Sequence, residues 1–67
     1  MTTARYEAPH LIRLYREVYA KTNGEEAPPL EYERGWFVFR LPQIVRYRRT
    51  QLVAMISRLQ ERHRATA

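Results

Sequence analysis

The sequence predicts a small α+β protein with one helix near each end and β structure between them. Three patterns support this fold class: apolar residues at helical spacing before residue 23, a run of β-favouring residues at 36–39, and a second apolar helical face after residue 50. With 67 residues, the chain is expected to form a single domain, 1–67, with a small core. Within it, we expect residues 1–8 to fray and residues 23–31 to form a linker.

The first helix is predicted to run from about Pro9 to Thr22. Proline is favoured at the start of a helix, because its missing N–H would have no helical partner there. The apolar residues recur at i, i+3, i+4 and i+7, the spacing of one buried helical face: Leu11, Leu14, Tyr15 and Val18. Asn23 and Gly24 accept the left-handed conformation that commonly ends a helix.

The middle of the chain is predicted to form a strand from Tyr32 to Leu41. Its Trp-Phe-Val-Phe centre has high β propensity. Alternation gives two apolar faces, with Trp36 and Val38 on one and Phe37, Phe39 and Leu41 on the other. Such a strand is expected to lie between helices or to pair with another chain. Gly35, just ahead of the apolar run, is expected to mark a bulge or a tight turn.

Two structures are open for the segment that follows. In the first, Leu41–Ile44 is a turn containing Pro42, and Val45–Arg48 is a second strand that completes a β-hairpin. Val45 and Tyr47 then point inward, Arg46 and Arg48 point outward, and a last helix begins near Thr50, whose hydroxyl can cap it.

In the second structure, Pro42 opens one long helix, which gives a mainly α protein with two helices joined by an extended segment, as a dimer. We favour the hairpin, because the long helix would place Arg49 within its apolar stripe. The hairpin in turn lacks the Asn-Gly signal of a tight turn. The last helix is amphipathic in both cases, with an apolar face of Leu52, Val53, Met55, Ile56 and Leu59.

Positive charge is concentrated in the second half of the chain. Residues 1–33 contain four basic and six acidic side chains, whereas residues 34–67 contain eight basic and one acidic. The densest cluster is Arg46-Tyr47-Arg48-Arg49. Arginine binds phosphate or carboxylate through paired hydrogen bonds, so this cluster predicts an anion-binding face, with an ordinary solvated surface as the simpler alternative. At a helix start, the charge of Arg49 would be opposed by the helix dipole unless an anion lay there.

Four glutamates, Glu25, Glu26, Glu31 and Glu33, form an acidic strip ahead of the apolar run. They are expected either to be solvated or to shield the arginine cluster of their own chain or of a partner subunit.

Little in the sequence suggests catalysis. The chain has one serine, no cysteine, no aspartate and no glycine-rich phosphate loop. His10 and His63 have no neighbouring ligand pattern, so we expect neither a metal nor another cofactor. The chain also lacks a long apolar run and a signal-peptide pattern, which predicts no membrane association and a cytoplasmic location.

The segment Gly35–Arg40 followed by Val45–Leu52 resembles the wing and following helix of excisionase-like, MerR-type winged helix-turn-helix proteins. In those proteins an apolar strand, a short turn and a Val-Arg-Tyr-Arg-Arg type strand lead into a leucine-bearing helix. The resemblance covers about a quarter to a third of the chain. It implies that Arg46, Arg48 and Arg49 are wing residues that meet DNA. The family's helix-turn-helix needs two short helices upstream, whereas one is predicted here.

The first functional hypothesis is a small DNA-binding accessory or regulatory protein, excisionase-like, from a phage or another mobile element. It would contact the phosphate backbone, with little or no sequence specificity, through an arginine-rich wing. The predicted DNA-binding residues are Arg46, Arg48 and Arg49, with Arg40 and Arg58.

The second hypothesis is a protein-interaction module, such as a phage-type inhibitor of a host protein. Aromatic and arginine side chains dominate interface hot spots, and the predicted anchors are Trp36, Phe37, Phe39 and Tyr32. These aromatics could equally form the core or a dimer seam. A homodimer is expected under either hypothesis, because a second copy can cover an apolar face that one small chain leaves exposed.

Overall fold

A computed structural model describes residues 7–66, with side chains through residue 65. The chain forms helix α1 (Ala8–Asn23), strands β1 (Leu30–Glu33), β2 (Trp36–Phe39) and β3 (Val45–Tyr47), and helix α2 (Arg49–Thr66). The strands form one antiparallel sheet in the order β1-β2-β3. The α+β fold class is therefore confirmed.

Helix α1 confirms the prediction made for the N-terminal half. Leu11 and Tyr15 are buried, and Gly24 ends the helix in the left-handed region at φ 72° and ψ 19°, donating its N–H to the Ala20 carbonyl at 2.8 Å. The expected fraying of residues 1–8 falls mostly on residues 1–6, which lie outside the described part of the chain. Ala8 itself is helical and buried.

The prediction of one strand from Tyr32 to Leu41 was wrong, because a tight turn at Arg34 and Gly35 divides it into β1 and β2. Both turn residues have positive φ, 46° and 85°, which makes a two-residue type I′ hairpin turn. The predicted linker is correspondingly shorter: Leu30 and Glu31 pair in β1 rather than ending a loop. The tight turn expected at Gly35 is therefore confirmed. Arginine rarely adopts a left-handed conformation, which is why Arg-Gly did not signal a hairpin here.

The second half follows the hairpin alternative rather than the long helix. Val45–Tyr47 pairs with β2, so Pro42 lies in the connection between two strands. Helix α2 begins at Arg49, one residue before the predicted cap. Gln51, in the first turn of the helix, accepts a hydrogen bond from the Arg48 backbone N–H at 2.8 Å. The capping hydrogen bond at the N-terminus of α2 is therefore made by Gln51 and not by Thr50.

Both helices pack on one face of the sheet. Phe37 of β2 and Leu52 of α2 are each 0% exposed and lie in the same apolar cluster. The Thr22 hydroxyl donates to the Leu59 carbonyl at 3.1 Å and joins the C-terminal part of α1 to α2. The buried cluster consists of Ala8, Leu11, Tyr15, Ala27, Leu30, Phe37, Phe39, Leu52, Ile56 and Leu59. Neither helix, within residues 7–66, is long and apolar enough to span a bilayer.

Candidate nucleic-acid interface

The face of the sheet turned away from the helices, called here the outer face, carries most of the predicted DNA-binding residues. Its orientation follows from alternation: Phe37 and Phe39 point into the core, so the residues between and beside them point outward. In the pairing register, Val38 lies between Glu31 and Arg46, and Trp36 lies beside Glu33. The outer face comprises Glu31, Glu33, Trp36, Val38, Arg40, Arg46 and Arg48.

Arg48 stacks on Trp36. Its guanidinium carbon lies 3.5 Å from the centre of an indole ring, a cation–π contact, and its Nη1 donates to the Gly35 carbonyl at 3.2 Å. A Cβ added at Gly35 would lie 3.0 Å from that Nη1, so glycine leaves room for the stack as well as for the positive φ. The tight turn and the aromatic ring thus hold one exposed arginine in a defined position.

Arg40 forms ion pairs with two carboxylates of its own chain. Its Nε donates to Glu31 Oε1 at 3.0 Å and its Nη2 donates to Glu33. The hydrogen bond to Glu31, and after it the one to Glu33, makes the largest contribution to raising the pKa of Arg40. Two of the four glutamates in the acidic strip therefore shield an arginine of their own chain. This arginine is the least available of the outer-face cations for a phosphate.

Arg34 and Arg46 differ from Arg40, because neither has a carboxylate within ion-pair distance among the described side chains. Both line a shallow depression of about 500 Å³ on the outer face, together with Glu33, Trp36 and Val38. Val38 is only 2% exposed although it faces away from the core, since longer side chains surround it. The depression thus combines an apolar floor, an aromatic wall and two unneutralised cations.

Arg49 lies at the start of α2 and binds a carboxylate. Its Nε and Nη2 donate to Glu7 Oε1 and Oε2, each at 2.8 Å. This paired hydrogen bond lowers the pKa of Glu7 and raises that of Arg49. The anion expected near Arg49 is therefore supplied by Glu7. Without displacing that carboxylate, Arg49 cannot present both donors to a phosphate.

Arg58 is exposed on α2, in the helical layer behind the sheet. The structure brings together Arg46, Arg48 and Arg40 of the predicted set and separates Arg58 from them. Arg34 was not among the predicted residues, although its place beside Gly35 and ahead of the apolar run was a usable signal.

The aromatic residues predicted as interface anchors divide between core and surface. Phe37 and Phe39 are buried beneath both helices, and Tyr32 packs its ring 5.1 Å from that of Phe37. A folded single chain therefore cannot present Phe37 or Phe39 to a partner. Trp36 remains half-buried on the outer face. Among the described side chains, the exposed large apolar ones are instead Leu41 and Ile44 in the β2–β3 loop, at 63% and 61% exposure.

Comparison with known proteins gives no match to a protein-family model, to a curated protein or to a solved structure. The interpretation of the outer face rests on its own geometry.

Proposed function

We propose that this protein is a small DNA-binding accessory or regulatory protein that contacts the phosphate backbone through the outer face of its sheet. The observation that carries the proposal is the grouping of Arg34, Arg46 and Arg48 around Trp36 and Val38. The glutamates on that face are already paired with Arg40, so the remaining arginines give it a net positive charge. Phosphate neutralisation by arginine is the main source of sequence-independent affinity for DNA.

The proposal makes no use of a recognition helix. One helix, α1, precedes the sheet in residues 7–66, and β3 continues almost directly into α2. The resemblance to excisionase-like wings supports a role for Arg46 and Arg48 in DNA binding. On the same resemblance we propose an origin in a phage or another mobile element. Contacts to phosphate position a protein on DNA without reading base sequence, so we expect weak or no sequence specificity.

The test is binding of duplex and single-stranded DNA across a salt series. We expect affinity to fall steeply as salt rises, with a log–log slope of about −0.9 per phosphate contact on a duplex. Arg46→Ala should make the duplex slope shallower by about 1. Arg58→Ala is the matched control, because it removes the same charge from the helical layer, and should leave the slope nearly unchanged. Absence of binding to either form of DNA at low salt would contradict the proposal.

A second candidate function is binding to a partner protein through the β2–β3 loop. The observation that favours it is the exposure of Leu41 and Ile44 in one short loop. Exposed apolar side chains that lie together are typical of interaction sites. A Leu41→Ser, Ile44→Ser double variant should then lose partner binding and keep its affinity for DNA, whereas Arg46→Ala should do the reverse.

A further inference from the structure

We infer that the depression on the outer face holds one unpaired nucleotide of a single-stranded nucleic acid, with its base against Trp36 and its phosphate against Arg46. This inference rests on the proposed function and names the form of nucleic acid that the face selects. The depression measures about 500 Å³, within the range of sites that accept small organic ligands, and it offers both an aromatic surface and cations.

The spacing of the strands suits a nucleotide. Val38 on β2 lies directly opposite Arg46 on β3, and Trp36 is two residues from Val38 along the same face. Neighbouring strands are about 4.8 Å apart, so the indole and the Arg46 side chain lie within the reach of a base and phosphate joined by one sugar. Arg34, in the turn beside Trp36, lines the same depression and can meet a second phosphate.

The charges across the sheet orient the nucleotide. Glu33 also lines the depression, but it lies on β1, on the opposite side of β2 from Arg46. A phosphate is therefore attracted more strongly at the β3 side, where Arg46 has no carboxylate partner among the described side chains. The Glu33 carboxylate is held by Arg40 and leaves the centre of the face to the base.

Trp36 is what distinguishes an unpaired base from a duplex. Bases inside a duplex are stacked on both faces and offer no free π surface, whereas an unpaired base can stack on an aromatic side chain. Arg48 packs on the indole at 3.5 Å and does not line the depression, so it holds the ring without filling the site.

Trp36 is the one tryptophan of the chain, so its fluorescence reports directly on this site. We would titrate the protein with oligothymidylate and oligouridylate of about ten nucleotides, with a duplex of equal length, and with heparin as a polyanion that has no bases. The single strands should quench Trp36 emission and bind about tenfold or more tightly than the duplex. The tighter of the two single strands identifies DNA or RNA as the source. Equal quenching and affinity with the duplex, or equal quenching by heparin, would overturn the inference.

Variants test the two halves of the site. In anisotropy measurements with labelled oligothymidylate, Trp36→Leu and Arg46→Ala should each weaken binding about tenfold, and Arg58→Ala should leave it unchanged. Trp36→Leu should weaken single-strand binding more than duplex binding, because only an unpaired base stacks on the indole. Circular dichroism checks folding. Trp36→Phe keeps a ring and should retain most of the single-strand affinity, and Arg46→Ala keeps the inference testable if Trp36→Leu does not fold. A folded Trp36→Leu protein that binds the single strand as tightly as the wild type overturns the inference.

The two proposals fail in different ways. DNA binding with no preference for the single strand overturns this inference and leaves the proposed function standing. Binding to oligouridylate alone overturns the proposed function and leaves this inference standing, and absence of binding to duplex DNA, oligothymidylate and oligouridylate overturns both.

Discussion

Arg34 occupies a backbone conformation that most side chains avoid. Its φ of 46° lies in the left-handed region, where an L residue with a Cβ costs roughly 1–2 kcal/mol. The adjacent Gly35, at φ 85°, satisfies the second position of the same turn without that cost. A type I′ turn favours asparagine before the glycine, so an arginine here is a poor choice for stability. Its place beside the depression gives a functional reason for its presence.

Replacing Arg34 with asparagine should separate stability from function. Arg34→Asn should raise the free energy of unfolding by up to about 1 kcal/mol, because asparagine tolerates the left-handed conformation better. The same change removes a cation from the outer face and should weaken DNA binding. Urea unfolding and DNA titration measure the two effects.

Arg34→Lys is the matched control, because it keeps the charge and the strained backbone. It should leave stability nearly unchanged and retain most of the DNA affinity. If Arg34→Asn is more stable but binds DNA as tightly as the wild type, Arg34 has no part in the interface.

Alternation in the Trp-Phe-Val-Phe segment predicted which residues share a face, and the structure confirms that division for residues 36–39. Leu41, predicted on the face of Phe37 and Phe39, instead lies beyond the end of β2 and is 63% exposed. It could not predict which face is the core, since both are apolar. Phe37 is 0% exposed beneath the helices, whereas Trp36 borders the outer-face depression. Which face of β2 is buried depends on the side on which the helices pack, and tertiary packing of that kind cannot be inferred from alternation along one strand.

At the scale of elements, Glu7 joins the start of α1 to the start of α2. Its carboxylate makes two hydrogen bonds with Arg49, which lies 42 residues later in the chain. The Glu7 carboxylate places a negative charge beside Arg49 at the N-terminus of α2, where the helix dipole disfavours a positive charge. Both side chains are more than a third exposed, so the contribution to stability is modest and is screened by salt.

The pair makes stability depend on pH. The Arg49 hydrogen bond lowers the pKa of Glu7 in the folded state. The stabilisation by the pair is therefore fully present above the unfolded-state pKa of about 4.3, and it is lost as pH falls through the lower folded-state pKa. Glu7→Gln should therefore show a smaller fall in urea midpoint than the wild type between neutral and strongly acidic pH. Glu17→Gln on α1, whose side chain has no ion-pair partner within residues 7–66, should keep the wild-type fall. An unchanged pH dependence in Glu7→Gln would show that the pair does not form in solution.

Sequence pattern predicted the elements wherever the signal was local. The spacing of Leu11 and Tyr15 predicted helix α1, and Gly24 predicted where the helix ends. The Arg34–Gly35 turn was missed as a hairpin, because residue preference argues against arginine there. The pairing of Glu7 with Arg49 could not be predicted, because no local rule links positions so far apart in the chain. The candidate site was predictable in Arg46 of β3 and in Arg48 just after that strand, and not in its depression, which requires three strands to meet.

At the scale of the whole molecule, the helices cover one face of the sheet and leave the outer face and the β2–β3 loop uncovered within residues 7–66. The two hairpin connections lie at opposite ends of β2. The Arg34–Gly35 turn is at the end that carries the depression, and Leu41 and Ile44 are in the loop at the other end. Trp36 and the Arg34–Gly35 turn thus lie at the opposite end of β2 from the exposed apolar residues.

The expected homodimer stays a prediction, and this separation makes it testable. We expect sedimentation at micromolar concentration to give a mass above the 8.1 kDa of one chain, because burying Leu41 and Ile44 against a second copy removes apolar surface from water. The Leu41→Ser, Ile44→Ser double variant should sediment as a monomer, and Gln43→Ser in the same loop should behave as the wild type. A wild-type monomer throughout the micromolar range would contradict the prediction. Because Trp36 lies at the other end of β2 from this loop, the double variant should keep the Trp36 quenching per chain. The slope of its DNA affinity against salt should become shallower on a long DNA, because a monomer offers one outer face and not two.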